Sequence, residues 1–396
     1  MKEGGSAVRV PVASERLSRE ALQGLDFNKT PFTTIWETTR ACGLRCVHCR
    51  AEAQPRRDPL ELSTAEGFRL LDQVRDLGSP VFILTGGDPL EREDIFDLLA
   101  YGAGIGLSVA ITPSGTPRLT RSAVHRLKEN GARMMAISLD GSTPEIHDGF
   151  RQQAGSFAWT AGGVEYAREC GLPVQINTTV TRHNIADLDA LAARVGELGA
   201  VMWSVFFLVT VGRAKESEQI TAQDFESLFN YLYDLSLTAP FAVRTTAAPQ
   251  FRRVVLQRRK AEKREGPAHG FKHVAGFLPN LPRAQKGVTD GNGLVFISHN
   301  GDVYPSGFLP ISGGNVRKAP LADIYRESPL FTRIRDYDQL KGKCGICEYV
   351  HVCAGSRARA YAVTGDYMAE EPWCVYEPLA VKRQTRDASE AAPEAS

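Results

Sequence analysis

The chain has 396 residues, more than one compact domain usually holds, so one large domain or two unequal ones are expected. Its 47 basic residues nearly balance 46 acidic ones, which removes the electrostatic footprint of a dedicated nucleic-acid binder. No run approaches the roughly 18 uninterrupted apolar residues that cross a bilayer, and the N-terminus lacks the apolar core of a signal peptide. A cytoplasmic protein with no nucleic-acid or membrane partner is expected. In that reducing compartment the eight cysteines read as metal or cluster ligands rather than disulfides.

Residues 1–30 form an N-terminal extension. From residue 33, short β-rich apolar runs alternate with amphipathic stretches, the pattern of repeated βα units. Six strands are predicted, at 33–39, 81–85, 107–112, 134–139, 174–180 and 203–209. Helices follow, for example at 95–103 and 186–198, with Ser63 and Thr120 as N-caps. This order predicts an α/β fold over 31–240, a partial (β/α)6 TIM-like barrel that stays open, with its ligand site at the C-terminal ends of the strands. A Pro- and Arg-rich linking segment, 241–288, follows, and a second, smaller unit spans 289–381. Within it, residues 291–312 read as a β-hairpin turning at Asn300-Gly301, a dipeptide suited to positive φ angles. The Ala-, Glu- and Ser-rich end, 382–396, reads as a disordered tail.

Cys42, Cys46 and Cys49 have the spacing C-x3-C-x2-C, on the loop that leaves the first strand. Three thiolates on one loop can each hold a different iron of a 4Fe-4S cube and leave the fourth iron open. Zinc, completed by His48 or a distant residue, is the alternative. The motif TTRACGLRCVHCRAEA resembles the signature of the radical S-adenosylmethionine (SAM) superfamily. That resemblance implies that the open iron binds SAM, that reductive cleavage yields a 5′-deoxyadenosyl radical, and that the radical abstracts hydrogen from a small-molecule substrate. It also implies an electron donor such as flavodoxin or ferredoxin, and it places His48 beside the adenine. Thr85-Gly86-Gly87-Asp88-Pro89 resembles the family's Gly-Gly-Glu motif, which implies that Gly86, Gly87 and Asp88 hold the methionine ammonium group, with a backbone carbonyl or a water as the alternative contact because Asp88 is one methylene shorter than glutamate. Ser138 at the end of the fourth strand and Asn177 and Thr179 on the fifth fall where relatives contact the SAM ribose and carboxylate, local backbone caps being the alternative. Arg213, just past the sixth strand, suits a bidentate contact with the SAM carboxylate or is a surface arginine.

Cys344, Cys347, Cys353 and Cys374 form a second group, C-x2-C-x5-C-x20-C, whose four thiolates could close one cluster completely or hold a structural zinc. The group, with NGDVYPS before it, resembles the C-terminal iron-sulfur domain called SPASM. Ser306 and Ser356 stand where relatives carry cysteines for a further cluster, which implies one auxiliary 4Fe-4S cluster here. Cys170, at a helix end, reads as a buried, inert thiol. IWETTRACGLRCVHCRAEA, TGGDPL, YPSGFLP and LKGKCGICEY resemble the haem-biosynthesis branch of these enzymes, implying a tetrapyrrole or another carboxylated small molecule as substrate. A peptide-modifying maturase is the alternative, and a non-catalytic redox or scaffold protein is the alternative of another class. The basic run 251–266 suits an anionic substrate or a solvated helix face. His269 and His273 read as ordinary loop histidines.

Overall fold

The computed structural model describes residues 25–263 and 287–383. Most of the N-terminal extension, the stretch with His269 and His273, and nearly all of the expected tail lie outside them.

The strands form at the short apolar and β-branched runs: β1 (Thr33–Glu37), β2 (Val81–Thr85), β3 (Val109–Ile111), β4 (Met134–Ser138), β5 (Val174–Val180) and β6 (Met202–Phe207). In β5, Val174, Ile176, Thr178 and Val180 are buried, while Gln175, Asn177 and Thr179 on the other face stay partly open. The buried face joins Trp36, Phe82, Leu84, Trp203 and Phe207 in one core beneath the crossover helices. Those helices are α1 (Thr64–Leu77), α2 (Ile95–Gly104), α3 (Arg121–Glu129), α4 (Pro144–Arg151), α5 (Ser156–Glu169), α6 (Leu188–Glu197) and α7 (Ala222–Thr238). Ser63 caps α1 in a reciprocal capping box with Glu66, and Thr120 caps α3 by accepting from the Ala123 N–H.

The alternation runs one unit further than the sequence pattern predicts. A seventh parallel strand, β7 (Ala242–Thr246), pairs with β6, and α8 (Gln250–Ala261) follows it, both inside the expected linking segment. Only Ala242 and Val243 of β7 are buried, and α8 is rich in arginine, so neither element carries a strong apolar period. The second unit is not a separate sheet either. Its hairpin strands, β8 (Leu294–Ile297) and β9 (Asp302–Tyr304), continue to the short β10 (Gly314–Asn315), and β8 pairs in parallel with β1. One sheet of ten strands results, in the order β10-β9-β8-β1-β2-β3-β4-β5-β6-β7.

The hairpin turn differs from the expected tight Asn-Gly turn. Gly301 has φ +90°, whereas Asn300 keeps a negative φ. Gly301 donates to the Ser298 carbonyl (3.0 Å), and Ser298 pairs with Asp302 across a three-residue loop. This is a turn followed by a left-handed glycine.

Beyond α9 (Leu321–Glu327) and α10 (Pro329–Arg335), the chain reaches the second cysteine group and α11 (Arg357–Thr364). The apolar cluster here is small, built on Leu340, Ala354 and Met368, and a buried polar network fastens the segment to the barrel. Arg359, 1% exposed, pairs with Glu371 at 3.2 Å and donates to the carbonyls of Phe207, Leu208 and Ala247 at the ends of β6 and β7. Arg359→Ala would leave Glu371 as an uncompensated buried carboxylate. Denaturant titration should show a loss of about 3–5 kcal/mol, and a loss below about 1 kcal/mol would refute this role.

Candidate active site

The loop leaving β1 brings Cys42, Cys46 and Cys49 into one cluster with Leu44 and Ala53 at the C-terminal mouth of the sheet. Its path is fixed by backbone contacts from three directions. Gly87 N–H donates to the Thr39 carbonyl and Asp88 N–H to that of Ala41, both at 2.7 Å. Cys42 N–H donates to the Gln54 carbonyl at 2.9 Å. Arg213, past β6, reaches over with its guanidinium to the carbonyls of Cys46 and Ala53, each at 3.1 Å.

The thiols have few partners. Cys42 Sγ receives the Leu44 N–H (3.4 Å) and lies 3.6 Å from Ser114 Oγ, while Cys46 Sγ lies 3.4 Å from Arg151. Burial pushes the Cys42 thiol up to about 12 and raises that of Cys46 despite Arg151. Thiols this buried, Cys42 with no cation beside it and Cys46 with Arg151 alone, fit metal ligands, because a bound metal supplies the charge that ionises them. The donor set therefore fits an iron-sulfur cluster.

Gly86 and Gly87 have a reason other than ligand approach. A Cβ on Gly86 would lie 2.7 Å from the Thr39 carbonyl, and one on Gly87 would lie 2.7 Å from the Arg40 carbonyl, so both glycines let the β2 loop press on the cysteine loop. Asp88 is held by the neighbouring loops. It is fully buried and accepts from Leu90 N–H (3.1 Å), Ser114 N–H (3.3 Å) and Thr116 Oγ1 (2.9 Å). Burial pushes its carboxyl up to about 6. These contacts tie the loops after β2 and β3 together through the Asp88 carboxylate.

His48 stacks on Phe150 of α4, with ring centroids 4.3 Å apart and planes 21° from parallel. Burial, then the nearby Arg151 and Arg213, pulls its pKa well below the usual histidine range, and its Nδ1 has no partner. One Arg213 nitrogen, NH2, is also buried without a partner. Ser138 and Asn177 are register partners on β4 and β5, and Thr179 lies two residues further along the same partly open face. Asn177 accepts from Gln175 at 2.7 Å, and Thr179 N–H donates to Asp140 at 2.7 Å. The buried Asp140–Arg151 ion pair, which also touches Cys46, was not anticipated. Its signal was present in AISLDG, where a carboxylate follows the serine at a strand end.

The second cysteine group converges as well: Cys344, Cys347, Cys353 and Cys374 line one cavity, closed from the barrel side by Gln250 and Arg253 of α8. Burial pushes Cys353 up to about 12 and Cys374 to about 11. Ser306 and Ser356 are both buried. Ser306 Oγ accepts from Phe308 N–H, and Ser356 Oγ caps α11 through Arg359 N–H.

Comparison with known proteins agrees with this arrangement. Residues 36–195 match the radical SAM superfamily model, and residues 290–348 match the SPASM iron-sulfur cluster-binding domain. The chain is 40% identical over 350 residues to the AdoMet-dependent heme synthase of Methanosarcina barkeri (strain Fusaro), covering 88% of this chain and 97% of that one. This chain is a radical SAM enzyme of the haem-biosynthesis branch. It is also 30% identical to the mycofactocin maturase MftC of Mycobacterium ulcerans, over 92% of each chain. In fold it is similar to Streptococcus suis SuiB bound to its precursor peptide SuiA, with a TM-score of 0.68 and 19% identity, over 88% of this chain and 76% of that one.

In this radical SAM enzyme the basic run on α8 does not face a substrate as an open patch. Arg252 donates to the carbonyls of Val288 and Val352, Arg253 bonds Glu226 and Gln257, and Arg258 pairs with Asp234 and Glu262. Among the described residues no helix is long and apolar enough to cross a membrane. The glycine packing yields a direct test. Gly87→Ala would force the β2 loop off the cysteine loop, so reconstituted protein should lose roughly half its iron while its circular dichroism stays unchanged. Full iron loading would show that the contact is not required.

Proposed function

We propose that this radical SAM enzyme modifies a carboxylated tetrapyrrole, most simply by removing carbon dioxide from a propionate side chain. The observation that carries the reading is the near full-length similarity to an AdoMet-dependent heme synthase. In this reading Cys42, Cys46 and Cys49 hold the SAM-binding 4Fe-4S cluster, and Cys344, Cys347, Cys353 and Cys374 hold a single auxiliary 4Fe-4S cluster. When bound, the first cluster supplies the electron that splits SAM into methionine and a 5′-deoxyadenosyl radical, and the second supplies a fully ligated redox centre.

The chain's own residues then bind and orient. His48, Gly86, Gly87, Ser138, Asn177, Thr179 and Arg213 surround SAM, with Arg213 keeping one N–H for its carboxylate. Asp88 fixes the loops beneath. A cytoplasmic setting with flavodoxin or ferredoxin as electron donor fits the need for free thiols and a low-potential electron.

Two measurements test the reading. Anaerobically reconstituted protein should carry about eight irons per chain, and replacing Cys42, Cys46 and Cys49 with Ala should remove about half of them together with all SAM cleavage. Stoichiometric zinc in place of iron would refute the cluster assignment. With dithionite and SAM, iron-coproporphyrin III should stimulate 5′-deoxyadenosine formation, and each propionate that becomes a vinyl group should lose the mass of carbon dioxide plus two hydrogens, one taken by the 5′-deoxyadenosyl radical and one leaving as the carboxyl proton, while the released electron passes to the auxiliary cluster. The similarity to a mycofactocin maturase supports a peptide as the second reading. Stimulation by a peptide and none by porphyrins would favour it and overturn the first.

A further inference from the structure

The cavity that gathers Cys344, Cys347, Cys353 and Cys374 is walled on one side by the barrel, through Gln250 and Arg253 on the first turn of α8. Gln250 is 1% exposed, yet neither its amide nitrogen nor its amide oxygen has a hydrogen-bond partner. Arg253 is 3% exposed and repeats the pattern. Its terminal nitrogens bond Glu226 and Gln257, whereas its Nε–H has no partner. A buried donor left unsatisfied costs about 1–3 kcal/mol. Two of them on one wall of one cavity imply an acceptor inside it, and the acceptors that four cysteines bring are sulfur atoms. The site also lies at the N-terminal end of a twelve-residue helix, whose dipole favours negative charge there.

We propose that Gln250 and Arg253 donate hydrogen bonds from the barrel to the sulfur atoms of the auxiliary cluster and thereby raise its reduction potential. The proposal rests on the assignment of the four cysteines to a cluster. One-electron reduction adds negative charge to the cluster, and donors aimed at its sulfurs stabilise the reduced state more than the oxidised one. Because Glu226 neutralises the Arg253 charge, the directed N–H matters here more than net charge. Both are positioning residues. Neither meets substrate in this arrangement. Together they make the potential of the C-terminal centre depend on an element of the barrel.

The test is an anaerobic redox titration of the reconstituted full-length enzyme, followed by electron paramagnetic resonance. Adding SAM perturbs the signal of the open cluster and so identifies the other signal as the auxiliary one. Gln250→Leu should lower the auxiliary midpoint by the equivalent of a tenfold change in the reduction equilibrium, about 59 mV for one electron, while the open cluster's midpoint stays fixed. Gln250→Met, which keeps the side-chain length, should act in the same direction and guards against a folding defect in the leucine variant. An unchanged auxiliary midpoint in either variant, with full iron content, would overturn the proposal and leave the cluster assignment standing. Absence of a second reduced signal in the unaltered enzyme would overturn the cluster assignment, and the proposal with it.

Discussion

The double pairing of β1 is the constraint on which the site depends. Thr33, Thr34, Ile35 and Trp36 are hydrogen-bonded in register to β2 on one side and to β8 on the other, so the strand has no free edge. The cysteine loop leaves from its end, and the C-terminal hairpin begins beside it. Glu37 closes the arrangement. It takes the Arg50 guanidinium at 2.7 Å and lies 3.0 Å from His299 Nδ1, which joins the cysteine loop to the hairpin turn. Burial works against its charge, but Arg50 and His299 together hold its carboxyl below the ordinary range. The hairpin is thereby oriented by the same strand that orients the first cysteine group.

Away from β1 the C-terminal segment shares the apolar core through Leu321, Ile324, Tyr325 and Phe331, and polar contacts add to that packing around the second cysteine group. Arg357 donates to the carbonyls of Tyr367 (3.0 Å) and Ala369 (2.6 Å), and Arg359 spans from Glu371 to the ends of β6 and β7. Arg252 reaches from α8 to Val352 within the second cysteine group. Each contact is directional, so the network fixes orientation more sharply than an apolar interface of equal area would. That orientation sets where the second cavity meets the barrel.

Much of this was legible in the sequence because the chemistry is local. Cysteine spacing, alternating burial in β2 and β5, and the caps at Ser63 and Thr120 depend on residues only a few positions apart. What escaped depends on contacts between distant segments. The β7–α8 unit was hidden because Arg244, Thr245 and Thr246 make its strand look polar, and because Arg252 and Arg253 of α8 find their partners in other segments of the chain. The bonds of Asp88 to Ser114 and Thr116 were not legible, because its motif says nothing of residues on the loop after the next strand. Gln250 carries no sequence signal at all. Only the cavity around it singles it out.

The parallel pairing of β8 with β1 has a further consequence for how the chain is made. Thr33 finds its partner in Leu294, so one edge of β1 stays uncovered until nearly the whole barrel has been synthesised. Contacts so distant in sequence form late, and an open strand edge held beside reactive thiols is a site for mispairing and aggregation in the interval. The nascent barrel is thus exposed along the strand that carries its first cysteine group, and that strand is completed only when the C-terminal hairpin arrives.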